Sequence, residues 1–241
     1  MKSIQSDLRG VSVENLNKSY GVGEGRNHVL HDVSTQFHAG ELSLLVGPSG
    51  CGKTSLISII AGILSADSGT IKIFDTDLHH LNTAQKTEFR KQTIGFIFQQ
   101  FNLVPTLNVQ ENVAIPLLIQ GMARRKAMSQ AAAMLQEVHL LPQIELLPNL
   151  LSVGQQQRIA VARALVTQPK LLICDEPTAS LDAENGRNVM QLISRLAVQE
   201  DRVVIIVTHD QRVLDFGDRV IEMEDGRIRH SLPRSDYKEL L

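Results

Sequence analysis

The stretch Leu42-Ser43-Leu44-Leu45-Val46-Gly47-Pro48-Ser49-Gly50-Cys51-Gly52-Lys53-Thr54 starts apolar and breaks into glycines. Its first five residues suit a short strand buried on both faces. The rest is G-x-x-x-x-G-K-[ST], the phosphate-loop pattern. The spacing has a chemical reason. Glycines let backbone N–H groups converge on an anion without Cβ obstruction. The helix that follows turns its positive N-terminal end toward the same phosphates. In this pattern Lys53 reaches the β- and γ-phosphates, and the Thr54 hydroxyl ligates Mg²⁺. The loop does not by itself fix the reaction, because kinases, GTPases, helicases and transporters share it.

On the N-terminal side, Val11 to Leu16 alternates apolar and polar residues, a strand with one wet face. Val29 to Phe37 continues in the same style. On the C-terminal side, Thr54 to Gly62 reads as a helix ending at a glycine cap. Gly69 to Phe74 and Ile94 to Phe98 are β-rich, so the chain to Phe98 is expected to be strands with one helix. Between Asn102 and Val166 the period becomes helical. Val109 to Gln120 is a helix kinked by Pro116, Arg124 to Leu140 is a second, and Gly154 to Val166 a third. Then Leu171 to Cys174 and Val203 to Val207 are apolar runs flanking an amphipathic helix, Ala183 to Gln199. Strand, helix, strand implies a parallel sheet with right-handed crossovers. The expected fold is α/β with a helical insert.

The 241 residues fit one large domain or two small ones. A composition of 43% hydrophobic and 21% charged residues excludes disorder, collagen and coiled coil as the main state. The longest apolar stretch, Val113 to Ile119, is interrupted by Pro116 and is too short to span a bilayer. Met1 to Gly10 has no apolar core and is not expected to be a secretory leader. Cys51 and Cys174 make no disulfide framework, which points to a reducing cytoplasm. With 24 basic residues against 26 acidic, and only the cluster Arg124-Arg125-Lys126, no nucleic-acid partner is expected. Aromatics are 4% and tryptophan is absent, which argues against a stacking platform for single strands.

Leu171 to Cys174 ends in Asp175-Glu176. Two acids at the C-terminal end of a parallel strand lie in the usual ligand crevice of an α/β sheet. Asp175 is placed to hold Mg²⁺, and Glu176 to polarise an attacking water. Ser152 followed by Gln155 is a capping-box pattern at the start of a helix.

Leu151-Ser152-Val153-Gly154-Gln155, taken with the phosphate loop and Asp175-Glu176, resembles an ATP-binding-cassette nucleotide-binding subunit, whose signature is LSGGQ. The resemblance runs from Val11 to about Arg229. It adds Tyr20, Gln99, Ser180-Leu181-Asp182 and His209 in the family's order. It implies a P-loop core with a parallel sheet, an antiparallel β subdomain and an inserted α-helical subdomain. The whole chain, 1–241, is then one domain: core 1–98 and 166–230, helical subdomain about 99–165, tail 231–241. It implies ATP bound by Tyr20, by the loop residues Gly47, Pro48, Ser49, Gly50, Cys51, Gly52, Lys53, Thr54 and Ser55, and by Ser152, Gly154 and Gln155 of a second copy. Tyr20 resembles the aromatic that stacks on adenine. Glu176, His209 and Gln99 resemble the catalytic set, with Gln100 a weaker alternative to Gln99. Thr54, Gln99 and Asp175 resemble the Mg²⁺ set. Ser180 and Asp182 resemble dimer-interface residues, and Asp182 also suits an N-cap.

The implied protein is the ATPase of a membrane ABC transporter. It forms a homodimer, pairs with integral membrane permease subunits and lies on the cytoplasmic face of the inner membrane. Phe96 to Leu117 is similar to the lipoprotein-release, macrolide-export and cell-division branch. A low-turnover regulatory ATPase and an importer ATPase are the alternatives. Val153 departs from the signature's first glycine. Cys51, inside the loop, is expected to alkylate readily and Cys174 slowly.

Overall fold

Val203 to Val207 is apolar at every position, and every side chain in it is fully buried. That is possible only if both faces of its sheet are covered. The computed structural model describes residues 9–239. Most of the segment expected to lack a leader lies outside them.

In chain order the elements are β1 (Gly10–Tyr20), β2 (Asn27–His38), β3 (Leu42–Val46), α1 (Lys53–Ile60), β4 (Ser68–Ile73), β5 (Thr76–Asp77), α2 (Thr83–Thr93) and β6 (Ile94–Ile97). Then follow α3 (Val109–Ile119), α4 (Arg124–Glu137), α5 (Val153–Leu165), β7 (Leu171–Asp175), α6 (Ala183–Ala197), β8 (Val203–Val207), β9 (Arg219–Glu224), β10 (Arg227–Pro233) and α7 (Arg234–Lys238). A six-stranded sheet has the order β10-β9-β3-β8-β7-β6, and a four-stranded sheet the order β2-β1-β4-β5. The smaller sheet is antiparallel. In the larger one β9, β3, β8, β7 and β6 run parallel, and only β10 is antiparallel.

Alternation along the central strands divides the apolar residues into two cores. Leu45, Leu171, Ile173, Ile205 and Val207 face a core shared with α1 and the antiparallel sheet. Leu44, Leu172, Cys174, Val204 and Ile206 face the other, shared with α3, α4, α5 and α6. The helical insert therefore packs on the sheet itself.

α2 was not expected. It buries no residue, so it shows no apolar stripe to read. Its signal is the capping box of Asn82 and Gln85, with both reciprocal hydrogen bonds formed. Past His209 the sequence reading assigned no elements. The hairpin β9–β10 turns at Asp225-Gly226, both with positive φ, the Asp-Gly signature of a tight hairpin. The expected boundary at 230 moves. β10 runs to Pro233 and α7 buries Tyr237 in the helical-side core, so this segment packs with the sheet and does not trail from it.

One buried polar residue organises the segment that leads from β6 into α3. Asn112 is fully buried. Its Oδ1 accepts from the Val104 N–H at 2.8 Å, and its Nδ2 lies 2.9–3.0 Å from the carbonyls of Val104, Leu107 and Asn108. Arg163 on α5 completes the fastening, donating to the Phe101 and Asn102 carbonyls at 2.6 Å. Removing the Asn112 amide orphans several backbone groups at once, each costly when buried. Asn112→Ala is expected to lower unfolding free energy by about 3 kcal/mol. Urea denaturation checks this; an unchanged midpoint would mean that the network carries no net stability.

Candidate functional site

β3, β8, β7 and β6 are neighbours in the sheet and end at the same edge. Leu45 pairs with Val207, Val207 with Asp175, and Cys174 with Ile97. At or just beyond those ends lie the phosphate loop, His209, Asp175-Glu176 and Gln99. Parallel register alone thus gathers residues far apart in sequence.

The loop after β3 needs its glycines sterically. Gly47 has φ +146, and a Cβ there would lie 2.0 Å from the Met223 carbonyl oxygen. Gly52 has φ +102, and a Cβ would meet the Leu30 side chain at 2.8 Å. α1 starts immediately after, at Lys53. Lys53 is 5% exposed. Its Nζ donates to the Gly47 and Pro48 carbonyls at 2.8 and 2.7 Å and lies 3.7 Å from Cys51 Sγ. Among the described residues no carboxylate pairs with it. A buried ammonium without a counter-anion is costly, so the donor set fits an anionic ligand in the loop.

Asp175 ends β7 and is almost buried. Thr54 Oγ1 donates to its Oδ1 at 3.4 Å. Burial pushes its carboxyl above the usual range and the neighbouring Glu176 charge adds to this, while Thr54 and Lys53 pull the other way. A divalent cation between Thr54 and Asp175 would replace the missing positive charge, so these residues fit Mg²⁺.

Glu176 is the strained member. Its φ of +47 lies in the left-handed region, uncommon for a residue with a side chain. The N–H still pairs with the Val207 carbonyl at 2.9 Å. Its carboxylate is held from both sides: Oε1 is 2.9 Å from His209 Nδ1, and Oε2 accepts from Gln99 Nε2 at 3.4 Å. Gln100 forms no side-chain hydrogen bond with any described residue. Tyr20, half-exposed at the end of β1, places its hydroxyl 3.1 Å from Ser55 Oγ in the first turn of α1.

A second constellation forms elsewhere. Ser152 caps α5 in a full capping box with Gln155. Asp182 caps α6, accepting from the Asn185 backbone at 2.9 Å and its side-chain amide at 2.6 Å. The two helix starts touch: a Cβ on Gly154 would lie 3.1 Å from Asn185 Oδ1. Ser180 and Asp182 are exposed, and so is Val153, the first residue of α5. Among the described residues no hydrogen bond joins Ser152, Gly154 or Gln155 to the phosphate loop.

The sequence matches the ABC transporter family over residues 30–179, more than half of the chain. This chain belongs to the ABC transporter family, as an ATP-binding domain. It is 43% identical over 213 residues to an uncharacterised ABC transporter ATP-binding protein of Mycobacterium tuberculosis, covering 88% of this chain and 64% of that protein. It is 38% identical to the macrolide export ATP-binding/permease protein MacB of Aggregatibacter actinomycetemcomitans, covering 90% of this chain and 34% of that one. Against the ATP-binding cassette MJ0796, whose dimeric post-hydrolysis structure is bound to ADP and Pi, the TM-score is 0.85 at 35% identity, covering 93% of this chain and 98% of that one. MJ0796 is an uncharacterised ABC transporter ATP-binding protein of Methanocaldococcus jannaschii. The chain thus spans about two thirds of the mycobacterial protein.

The sequence reading of this cassette missed Asn112 and Arg163 as fasteners of the Gln99 segment and Asn185 as the link between the two helix starts. For Asn185 a signal existed: it stands three residues after an N-cap. The expectation for Cys51 is corrected. Inside the loop it is 7% exposed and packs in the core against α1, so an alkylating reagent has little access. Cys174 is fully buried, and desolvation, then the Asp175 charge, push its thiol far up. In the folded protein a disulfide-exchange thiol reagent is expected to leave Cys174 unmodified and to modify Cys51 only slowly, as the loop opens. Fast modification of both thiols without denaturant would contradict this burial.

Proposed function

We propose that this cassette binds ATP at the phosphate loop, hydrolyses it, and powers a membrane transporter. The observation that carries the reading is the grip on Glu176 by His209 and Gln99, at the edge where the phosphate loop and Asp175 also lie.

The triphosphate lies along Gly47 to Ser55, with the Lys53 ammonium turned from its loop carbonyls to the β- and γ-phosphate oxygens. Thr54, Asp175 and Gln99 would hold Mg²⁺, and the ion when bound would supply positive charge against the negative charge developing on the transferred phosphoryl group. Glu176 accepts a proton from the attacking water as its oxygen bonds to the γ-phosphorus and the β–γ bridge bond breaks. His209 commits Nδ1 to Glu176, which leaves Nε2 to face the γ-phosphate. Gln99 commits its amide nitrogen to Glu176, so that its carbonyl oxygen would be the atom available to Mg²⁺.

Ser152, Gly154 and Gln155 act on the ATP of a second copy, with Ser180 and Asp182 at the dimer interface. The separation of the two constellations within one chain supports this, as does the dimeric form of MJ0796. The permease reading is supported by the single-chain ATP-binding/permease name of MacB. A cavity of about 430 Å³ beside the Gln99 segment, lined by Ile63, Phe98, Ile115, Pro116 and Ile119, suits an apolar element of that partner. Among the described residues no helix is long and apolar enough to cross a membrane. We read the cassette as peripheral, held on the cytoplasmic face of the inner membrane by a permease partner of the kind that MacB's ATP-binding/permease name describes. The release or export branch is our preferred assignment, on the Phe96 to Leu117 pattern.

Two experiments test this. Glu176→Gln keeps the shape and removes the base, so turnover is expected to fall at least ~100-fold while ATP binding persists. Steady-state phosphate release and calorimetry read the two quantities, and native-rate hydrolysis by the variant refutes the role of Glu176. Val153 is 45% exposed at the first position of α5, next to Ser152 and Gly154, so its β-branch would crowd a second copy's γ-phosphate held there. Val153→Gly is expected to reach full ATPase rate at lower protein concentration. Superimposable rate–concentration curves would mean that Val153 does not limit closure.

A further inference from the structure

Asp67 lies in the loop between α1 and β4, outside every motif discussed above. Its backbone N–H pairs with the Asn17 carbonyl at 2.8 Å. Its Oδ2 accepts from the Ser19 N–H at 2.8 Å, and the same oxygen is 3.4 Å from the Arg26 guanidinium. Its Oδ1 lies 3.4 Å from Lys18 Nζ. One carboxylate thus ties down the last residues of β1 before Tyr20, together with the two cations flanking them.

Lys18 is the telling member. Its ammonium sits over the Tyr20 ring, 5.3 Å from the centroid, within the range of a cation–π contact. Its side chain is only 16% exposed, and partial desolvation strengthens such a contact. The far edge of the ring is fixed independently by Ser55, beside the phosphate loop. Tyr20 therefore has a cation against its ring, its hydroxyl anchored to α1, and 39% of its surface exposed.

We propose that Asp67 is a positioning residue for the nucleobase: it holds Lys18 against Tyr20 and so presets the exposed ring at a fixed place relative to the phosphate loop. The inference rests on Tyr20 being the platform for adenine. An aromatic ring pinned before binding loses little freedom when a base stacks on it, which raises affinity without a new contact to the ligand. Asp67 itself touches no nucleotide, and its effect is felt only by ligands that carry a base.

That selectivity defines the test. Calorimetric affinities of the whole protein for Mg-ATP and for Mg-tripolyphosphate, which has the phosphates and no base, are measured for the native protein, Asp67→Ala, Lys18→Met and Tyr20→Leu. Asp67→Ala and Lys18→Met are each expected to weaken ATP by about tenfold and to leave tripolyphosphate unchanged. In the Tyr20→Leu background the same changes are expected to do nothing further to ATP. Equal weakening of both ligands would reveal general damage near the loop and overturn the proposal. So would a loss that persists undiminished without the tyrosine ring. If Tyr20→Leu alone leaves ATP affinity unchanged, the platform reading of Tyr20 is what fails, and the role of Asp67 falls with it.

Discussion

A parallel strand covered on both faces can carry polar chemistry only where it ends. β3, β7 and β8 are buried along their full length and contribute side chains alternately to two cores. Every charged group of the site is consequently at or just past a strand terminus, or in the first turn of α1. Because these strands and β6 are adjacent and in register, their ends form one row. The site is thus a consequence of strand order, and no single loop defines it.

Holding charge at such an edge is costly, and the structure shows where. Lys53 is buried against its own loop carbonyls, Asp175 is protonated more easily than an ordinary carboxyl, and Glu176 sits in a left-handed backbone conformation. Strain of the last kind costs about 1–3 kcal/mol and persists only where surroundings enforce it. Here the enforcement is the hydrogen bond from its N–H to Val207, which keeps the backbone in the sheet while the side chain lies between His209 and Gln99. A buried ammonium held against loop carbonyls is preorganised for a polyanion.

Much of this was legible in the sequence because it depends on local pattern. The apolar runs fixed β3, β7 and β8, the phosphate-loop spacing placed α1, and the Ser152–Gln155 cap marked the start of α5. What was illegible depends on distant partners. α2 has no core to face, so no periodicity betrays it. Asn112 reads as an ordinary polar residue on a helix until its four backbone partners are assembled in space. Asp67 shows its reach only when β1 is laid beside β4. The left-handed turn at Glu176 cannot be read from a residue type that normally avoids it. Burial of Cys51 was missed for a related reason: loop membership suggested exposure, but the loop wraps around its own side chain.

α5 joins these parts mechanically. At its N-terminus stand Ser152 and Gly154, the latter against Asn185 of the α6 cap. Near its C-terminus Arg163 grips the carbonyls of Phe101 and Asn102, just past Gln99. Thirteen residues of helix make a rod about 20 Å long, stiff over that length. Two short hydrogen bonds from a partly desolvated guanidinium therefore fasten the Gln99 segment to the same helix that carries Ser152. The same segment borders the apolar cavity lined by Phe98, Ile115 and Pro116, and Gln99 itself holds the Glu176 carboxylate. The apolar cavity, the Glu176 carboxylate and the exposed start of α5 thus share one hydrogen-bonded connection, so a change at any of them has a physical route to the other two.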